Sequence, residues 1–164
     1  MALKIQGLKP VASGDARLLV LGTMPGKRSL ETGRYYEHPR NAFWKIAAQV
    51  LGIDATADYG VRCTAICSAK VALWDVLMHC QRESSLDVDI VAPVPNDFAP
   101  FFADHPTITR VYFNGTKAEE LYKRHVAGKL GAVRALEYAL LPSTSPAHTI
   151  PFAEKLAKWK AIAP

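Results

Sequence analysis

Apolar positions along the chain switch between short unbroken runs and stretches with helical spacing. Arg17-Leu-Leu-Val-Leu-Gly22 is an unbroken apolar run closed by glycine, which predicts a strand buried on both faces. From Ala42 to Leu51, Phe43, Ile46, Ala47, Val50 and Leu51 recur on one helical face and Gly52 supplies the stop, so this segment is the clearest helix. Tyr59 to Ala69 is a weaker helical stretch, followed by a second apolar run, Val71 to Leu77. Asn96 to His105 predicts a short helix halted by Pro106, and Ile108 to Phe113 a third strand closed by Asn114-Gly115. Thr116-Lys-Ala-Glu119 carries the pattern of a capping box, and the pairs Glu119/Lys123 and Glu120/Arg124 support the helix that follows. Arg134 to Leu141 predicts the fourth strand, and Phe152, Leu156, Trp159 and Ile162 a final amphipathic helix. Strands alternating with helices predict an α/β fold, a mostly parallel four-stranded central sheet with helices on both faces. Function in such folds sits in the loops after the strands' carboxyl ends. Here those loops are Gly22–Arg40, Asn114–Thr116 and Pro142–His148.

Composition narrows the class. The 164 residues are 49% hydrophobic and 21% charged, which suits one domain over residues 1–164 with its own core and argues against disorder. The longest uncharged stretch, Tyr138 to Ala153, is interrupted by Pro142, Pro146 and Pro151, so no membrane span is expected. Met1 to Lys9 lacks the apolar core of a secretory leader, so the expected location is the cytoplasm. Cys63, Cys67 and Cys80 form no disulfide framework, and Cys63 and Cys67 have no further ligands at zinc or iron–sulfur spacing; they read as free thiols. The formal charge of +5 is compatible with a polyanionic partner without specifying one.

The loops carry the candidate chemistry. Gly22-Thr-Met-Pro-Gly26 matches neither familiar phosphate-binding fingerprint; its glycines suit either close ligand approach or a plain tight turn. In Tyr35-Tyr-Glu-His-Pro-Arg-Asn41, the asparagine is placed to cap the helix from Ala42 or to face a cleft and hold a water, and the tyrosines to pack or to stack a base. Lys27, Arg28, Arg34, Arg40 and Lys45 face only Glu31 and Glu37 across this segment, a local basic excess sharper than the global one. Asn114 is either a turn residue before glycine or an amide for the edge of a nucleobase. Pro142-Ser-Thr-Ser-Pro-Ala-His148 is a plain proline-rich connection or a phosphate clamp made of hydroxyls and amides. His105 and His125, at helix ends, read as surface residues.

Taken together, Leu21-Gly-Thr-Met-Pro-Gly26, Tyr35-Tyr-Glu-His-Pro-Arg-Asn-Ala-Phe-Trp44 and Leu141-Pro-Ser-Thr-Ser-Pro-Ala-His148 resemble the uracil-DNA glycosylase superfamily. Their order resembles the mismatch-specific uracil and thymine glycosylases, and more closely the hypoxanthine-DNA glycosylase branch. Leu73-Trp-Asp-Val76, Ser85-Leu-Asp87 and Phe113-Asn-Gly115 also look like that branch, so the resemblance runs from Arg17 to Trp159. Two departures stand out. Met24 occupies the place where mismatch-specific enzymes carry a water-positioning asparagine, and His148 stands where relatives often carry asparagine.

The resemblance implies a monofunctional glycosylase that flips a deaminated base, hypoxanthine foremost, out of DNA and hydrolyses its N-glycosidic bond. It assigns the catalytic water to Asn41, base binding to Gly22, Thr23, Met24, Tyr36 and Asn114, and DNA contacts to Arg40, Ser143, Thr144, Ser145 and His148. No cofactor and no metal are expected; the partner is damaged DNA, and the chain is expected to be a monomer. Two rival readings stay open, a uracil or thymine mismatch glycosylase and a binding module that has kept the fold without the chemistry.

Overall fold

The computed structural model describes residues 3–131 and 135–164. At its centre, β2 (Leu18–Gly22), β3 (Val71–Asp75), β6 (Arg110–Asn114) and β7 (Glu137–Leu141) form a four-stranded sheet in the order β3-β2-β6-β7. All three pairings are parallel. β1 (Lys4–Gln6), β4 (Leu77–Gln81) and β5 (Val91–Pro95) make a second, antiparallel sheet in the order β1-β4-β5.

Strict alternation of side chains along the parallel strands divides the core into two layers. Leu19, Leu21, Ala72, Trp74, Val111 and Phe113 face a cluster with α4 (Phe98–Asp104) and α5 (Thr116–His125). Val20, Val71, Leu73, Tyr112 and Leu141 face the other way, toward α2 (Phe43–Leu51), α3 (Tyr59–Ser68) and α6 (Phe152–Trp159). The expected α/β fold, a parallel four-stranded sheet between helical layers, is therefore the observed one. No helix among the described residues is long and apolar enough to cross a membrane.

Several local expectations change. The apolar run Val71–Leu77 is not one strand. β2 ends in the 22–26 turn, and after Asp75 the chain leaves the parallel sheet. Val76 N donates to Gly22 O and Leu77 N to Thr23 O, and from there β4 satisfies its backbone against β1 and β5. β5, Val-Ala-Pro-Val-Pro, is an edge strand that its two prolines hide from pattern reading. α1 (Lys27–Thr32) forms inside the polar segment, between Gly26 and a left-handed Gly33.

The capping box is not formed. Gly115, at φ +96, takes the cap position itself, so Thr116 becomes the first helical residue and no side chain caps α5. Of the two expected pairs on this helix, Glu119–Lys123 is present at 3.5 Å, while Glu120 lies 4.0 Å from Lys117. The fourth strand begins at Glu137; Arg134, its expected start, lies outside the described residues. His105 and His125 are half-buried rather than surface residues, His105 packing on the Phe101 ring at 4.3 Å.

Candidate active site

The parallel register lines up the carboxyl ends of all four strands. Gly22 pairs with Asp75, Leu21 with Phe113, and Asn114 with Leu141, so Asp75, Gly22, Asn114 and Leu141 form one row across the sheet. All four share the parity of Val20, Leu73 and Tyr112 and so face the α2 side. Gly22 has no side chain in this row for a steric reason: a Cβ there would collide with Asp75 Oδ1, and Tyr36 Oη borders the same point at 3.9 Å.

Tyr36 is held over this edge in a left-handed backbone conformation, φ 57, uncommon for a bulky residue. Its ring stacks on Phe43 with centroids 4.1 Å apart. The flanking chain is clamped on both sides: Trp44 Nε1 donates to Tyr35 O at 3.0 Å, and Tyr35 Oη to Lys9 O at 2.8 Å. Burial pushes the Tyr36 hydroxyl pKa up, the neighbouring Asp75 adding to the effect, so the phenol stays protonated.

Asn114 and Thr144 lock one another. Asn114 Nδ2 donates to Thr144 Oγ1 at 3.0 Å, Thr144 N donates to Asn114 Oδ1 at 2.9 Å, and Asn114 Nδ2 also approaches Tyr36 Oη at 3.4 Å. The geometry fixes which end of the amide is oxygen, since Oδ1 faces a backbone donor. Thr144 O in turn accepts from Ala42 N at 2.9 Å, tying the 142–148 loop to the start of α2. Two α6 residues hold that loop from behind: Trp159 Nε1 donates to Pro142 O at 2.8 Å and Lys155 Nζ to Ser145 O at 3.1 Å. Burial lowers the Lys155 pKa.

Asn41 opens α2 from one residue further out than expected. Ala42 is the cap, its carbonyl accepting from Ile46 N at 3.0 Å, while Asn41 Oδ1 accepts from Phe43 N at 3.0 Å. Asn41 is half-exposed, and its amide NH2 has no protein partner among the described residues. One oxygen lone pair and two N–H donors thus remain for water or substrate.

The other expected site residues divide. Thr144 is only 1% exposed, so its hydroxyl positions Asn114 instead of meeting a phosphate. Ser143 and Ser145 are half-buried, each accepting a local backbone N–H, and His148 is exposed at the loop's end. Met24 turns away into the α4–α5 cluster, and Thr23 is buried beside it, which leaves their backbone as the part near Gly22. Arg40 is exposed, as are Lys27, Arg28, Arg34 and Lys45.

Sequence reading assigned no role to Asp75, Arg82 or Lys155. Asp75 is 4% exposed, and its Oδ2 has no hydrogen-bond partner among the described residues. Arg82, 6% exposed, donates from Nη2 to Pro25 O at 2.6 Å, and its Nε and Nη1 find no partner there either. The available signal for Asp75 was a lone carboxylate inside the apolar run Val71–Leu77. No group of three or more potential metal ligands occurs among the described residues.

Comparison with known proteins bears on the family and the fold. The curated "Hypoxanthine DNA glycosylase" of Methanosarcina barkeri is 34% identical over 119 residues, 72% of this chain and 75% of the relative. A protein of the same name from Methanosarcina acetivorans is 28% identical over 158 residues, covering 96% of both chains. The solution NMR structure of a Methanosarcina acetivorans protein, provisionally assigned as a uracil DNA glycosylase, superposes with a TM-score of 0.80 at 27% identity, covering 98% of this chain and 99% of that one. The family description of the uracil DNA glycosylase superfamily matches residues 10–163, and the chain belongs to that superfamily.

Proposed function

We propose that this DNA glycosylase releases hypoxanthine from DNA by hydrolysis and leaves an abasic site, without a metal or a cofactor. The observation that carries the reading is the convergence of Tyr36, Asn114 and the side-chain-free Gly22 at one sheet edge, with Asn41 opening the adjacent helix. Both curated relatives bear the name hypoxanthine DNA glycosylase, which favours a deaminated purine as the base.

In this mechanism the target nucleotide leaves the helical stack and its base lies against the Tyr36 ring. The locked Asn114 amide meets the base edge through hydrogen bonding. Asn41 Oδ1, its second lone pair still available, accepts from a water and aims it at C1′ of the sugar. A neutral amide is no strong base, so the rate comes mainly from stabilising the cationic sugar and the departing base. Exposed Arg40 and the hydroxyls of Ser143 and Ser145 contact phosphates. The enzyme acts as a monomer in the cytoplasm, where the free thiols Cys63, Cys67 and Cys80 stay reduced.

The direct test is release of hypoxanthine from an oligonucleotide duplex in the presence of EDTA, read as strand breaks after hot alkali. Activity that vanishes on chelation and returns with a divalent ion would sink the metal-free mechanism. Tyr36→Ala should weaken binding to lesion DNA by roughly 1–3 kcal/mol, the worth of one base–aromatic stack, and binding to undamaged DNA much less. Equal losses on both DNAs in a titration would make Tyr36 structural. If Arg40 meets a phosphate, Arg40→Ala should lower the slope of log affinity against log salt by about one unit. An unchanged slope removes it from the interface.

A further inference from the structure

Around the 22–26 turn, buried polar atoms without partners accumulate: Asp75 Oδ2, Arg82 Nε and Arg82 Nη1 among the described residues. A buried polar group left without a hydrogen bond is costly, so such a concentration calls for a functional account. Asp75 is the member of this set in the site row. Its carboxyl lies over Gly22 and takes up the space a side chain there would need, Tyr36 Oη bordering the same point, and the locked Asn114 amide closes the row on the far side of Gly22. A base edge entering between Asn114 and Asp75 would meet an amide on one side and a carboxyl on the other.

We propose that Asp75 is a further catalytic residue of this glycosylase, a carboxylic acid that gives its proton to the flipped base as the bond to deoxyribose breaks. The inference rests on the proposed reaction at the same site. The C1′–N bond breaks with its electron pair remaining on the base, and the Asp75 proton passes to a ring nitrogen or carbonyl oxygen of that base. The oxygen of the water held by Asn41 forms the new bond to C1′, and the proton it sheds returns Asp75 to its acid form through solvent. Protonating the departing base removes the anion that would otherwise have to be stabilised.

The surroundings favour the acid form. Burial is the main cause, the carboxyl of Asp87 on the 87–89 turn adds repulsion, and the Arg82 guanidinium after β4 offsets part of it, leaving the Asp75 pKa at about 7. Asp87 is itself pushed up by burial. Facing Asp75 from the 35–36 segment are the phenols of Tyr35 and Tyr36, both neutral because burial raises them. Asp75 thus holds a proton that is exchangeable close to neutral pH.

The experiment is single-turnover cleavage by wild type and Asp75→Asn across about pH 5 to 9, on matched duplexes carrying hypoxanthine or uracil. Asn keeps the shape but has no acidic proton to transfer. On the base that wild type releases, Asp75→Asn should be about 10²-fold slower or worse on the acid side. The wild-type rate should fall as pH rises through about 7. The variant should show no such break, so the two curves converge above it. A merely structural defect predicts a constant ratio at every pH. That result, or a wild-type rate for the variant near pH 6, overturns the proposal. Release of uracil alone by the wild type would overturn the hypoxanthine reading while the pH divergence still decides Asp75. Release of neither base overturns both. Should Asp75→Asn fail to fold, the wild-type profile decides, and a rate flat through pH 7 rejects the acid role.

Discussion

Asn41→Ala should lower single-turnover cleavage by about 10²-fold or more while lesion binding survives. The water it holds is aligned in the transition state, so its loss falls on the chemical step and leaves the ground-state complex intact. The same substitution removes the hydrogen bond from Phe43 N to Asn41 Oδ1, which costs about 1 kcal/mol of stability. That loss stays small because the helix start has independent support: Ala42 O accepts from Ile46 N, and Ala42 N donates to Thr144 O. Asn41→Asp separates the two roles further, since aspartate preserves the backbone bond and alters only what faces the substrate. Thermal denaturation and single-turnover kinetics on Asn41→Ala decide the matter. A variant that is less stable yet cleaves at the wild-type rate would leave Asn41 as a helix-opening residue and nothing more.

How much of this was legible beforehand depended on the range of the interactions involved. β2, α2, β6 and α6 announce themselves because each buries a face whose period appears in a few consecutive residues. The path after Asp75 does not. Whether Val76 continues the parallel sheet or leaves it is decided by where β2 turns, some fifty residues earlier in the chain, through Val76 N and Gly22 O. The second sheet is hidden for a related reason: β1 is three residues long and β5 contains two prolines, so neither carries a strand pattern of its own.

The site shows the same division. Tyr36, Asn41 and Asn114 stand out as polar or aromatic residues at strand and helix ends, where loops carry function. Their partners do not. Thr144 looks like one of three equivalent hydroxyls in the 143–145 stretch, and only the fold turns it inward onto Asn114 while its neighbours stay nearer the surface. Met24 sits within a glycine-bounded loop, yet its side chain faces the α4–α5 core. Asp75 was disguised by its apolar neighbours, and its isolation becomes apparent only when the register sets it beside Gly22.

That isolation has a consequence for stability that can be measured without DNA. Asp75 holds its proton more tightly in the folded protein, pKa about 7, than in the unfolded chain, where the ordinary value is 3.8. Between those two values the native state binds more protons than the unfolded state, so stability declines as pH rises through this window and levels off above it. Below about pH 4 the carboxyl is neutral in both states, and wild type and Asp75→Asn should differ little. Above about pH 7 the wild type must bury a carboxylate whose Oδ2 has no partner, and the variant does not. The variant should therefore gain on the wild type by up to about 4 kcal/mol over this range. Entry of water around the ionised carboxylate would reduce the gain without changing its sign. Taking the difference between the two proteins cancels the titrating groups that do not interact with Asp75, such as Asp15, whose pKa is held down mainly by its hydrogen bond with Lys70. Urea titrations of both proteins at about pH 4, 6 and 8 provide the test. A stability difference that stays level across the three would mean that Asp75 ionises as easily in the fold as in water.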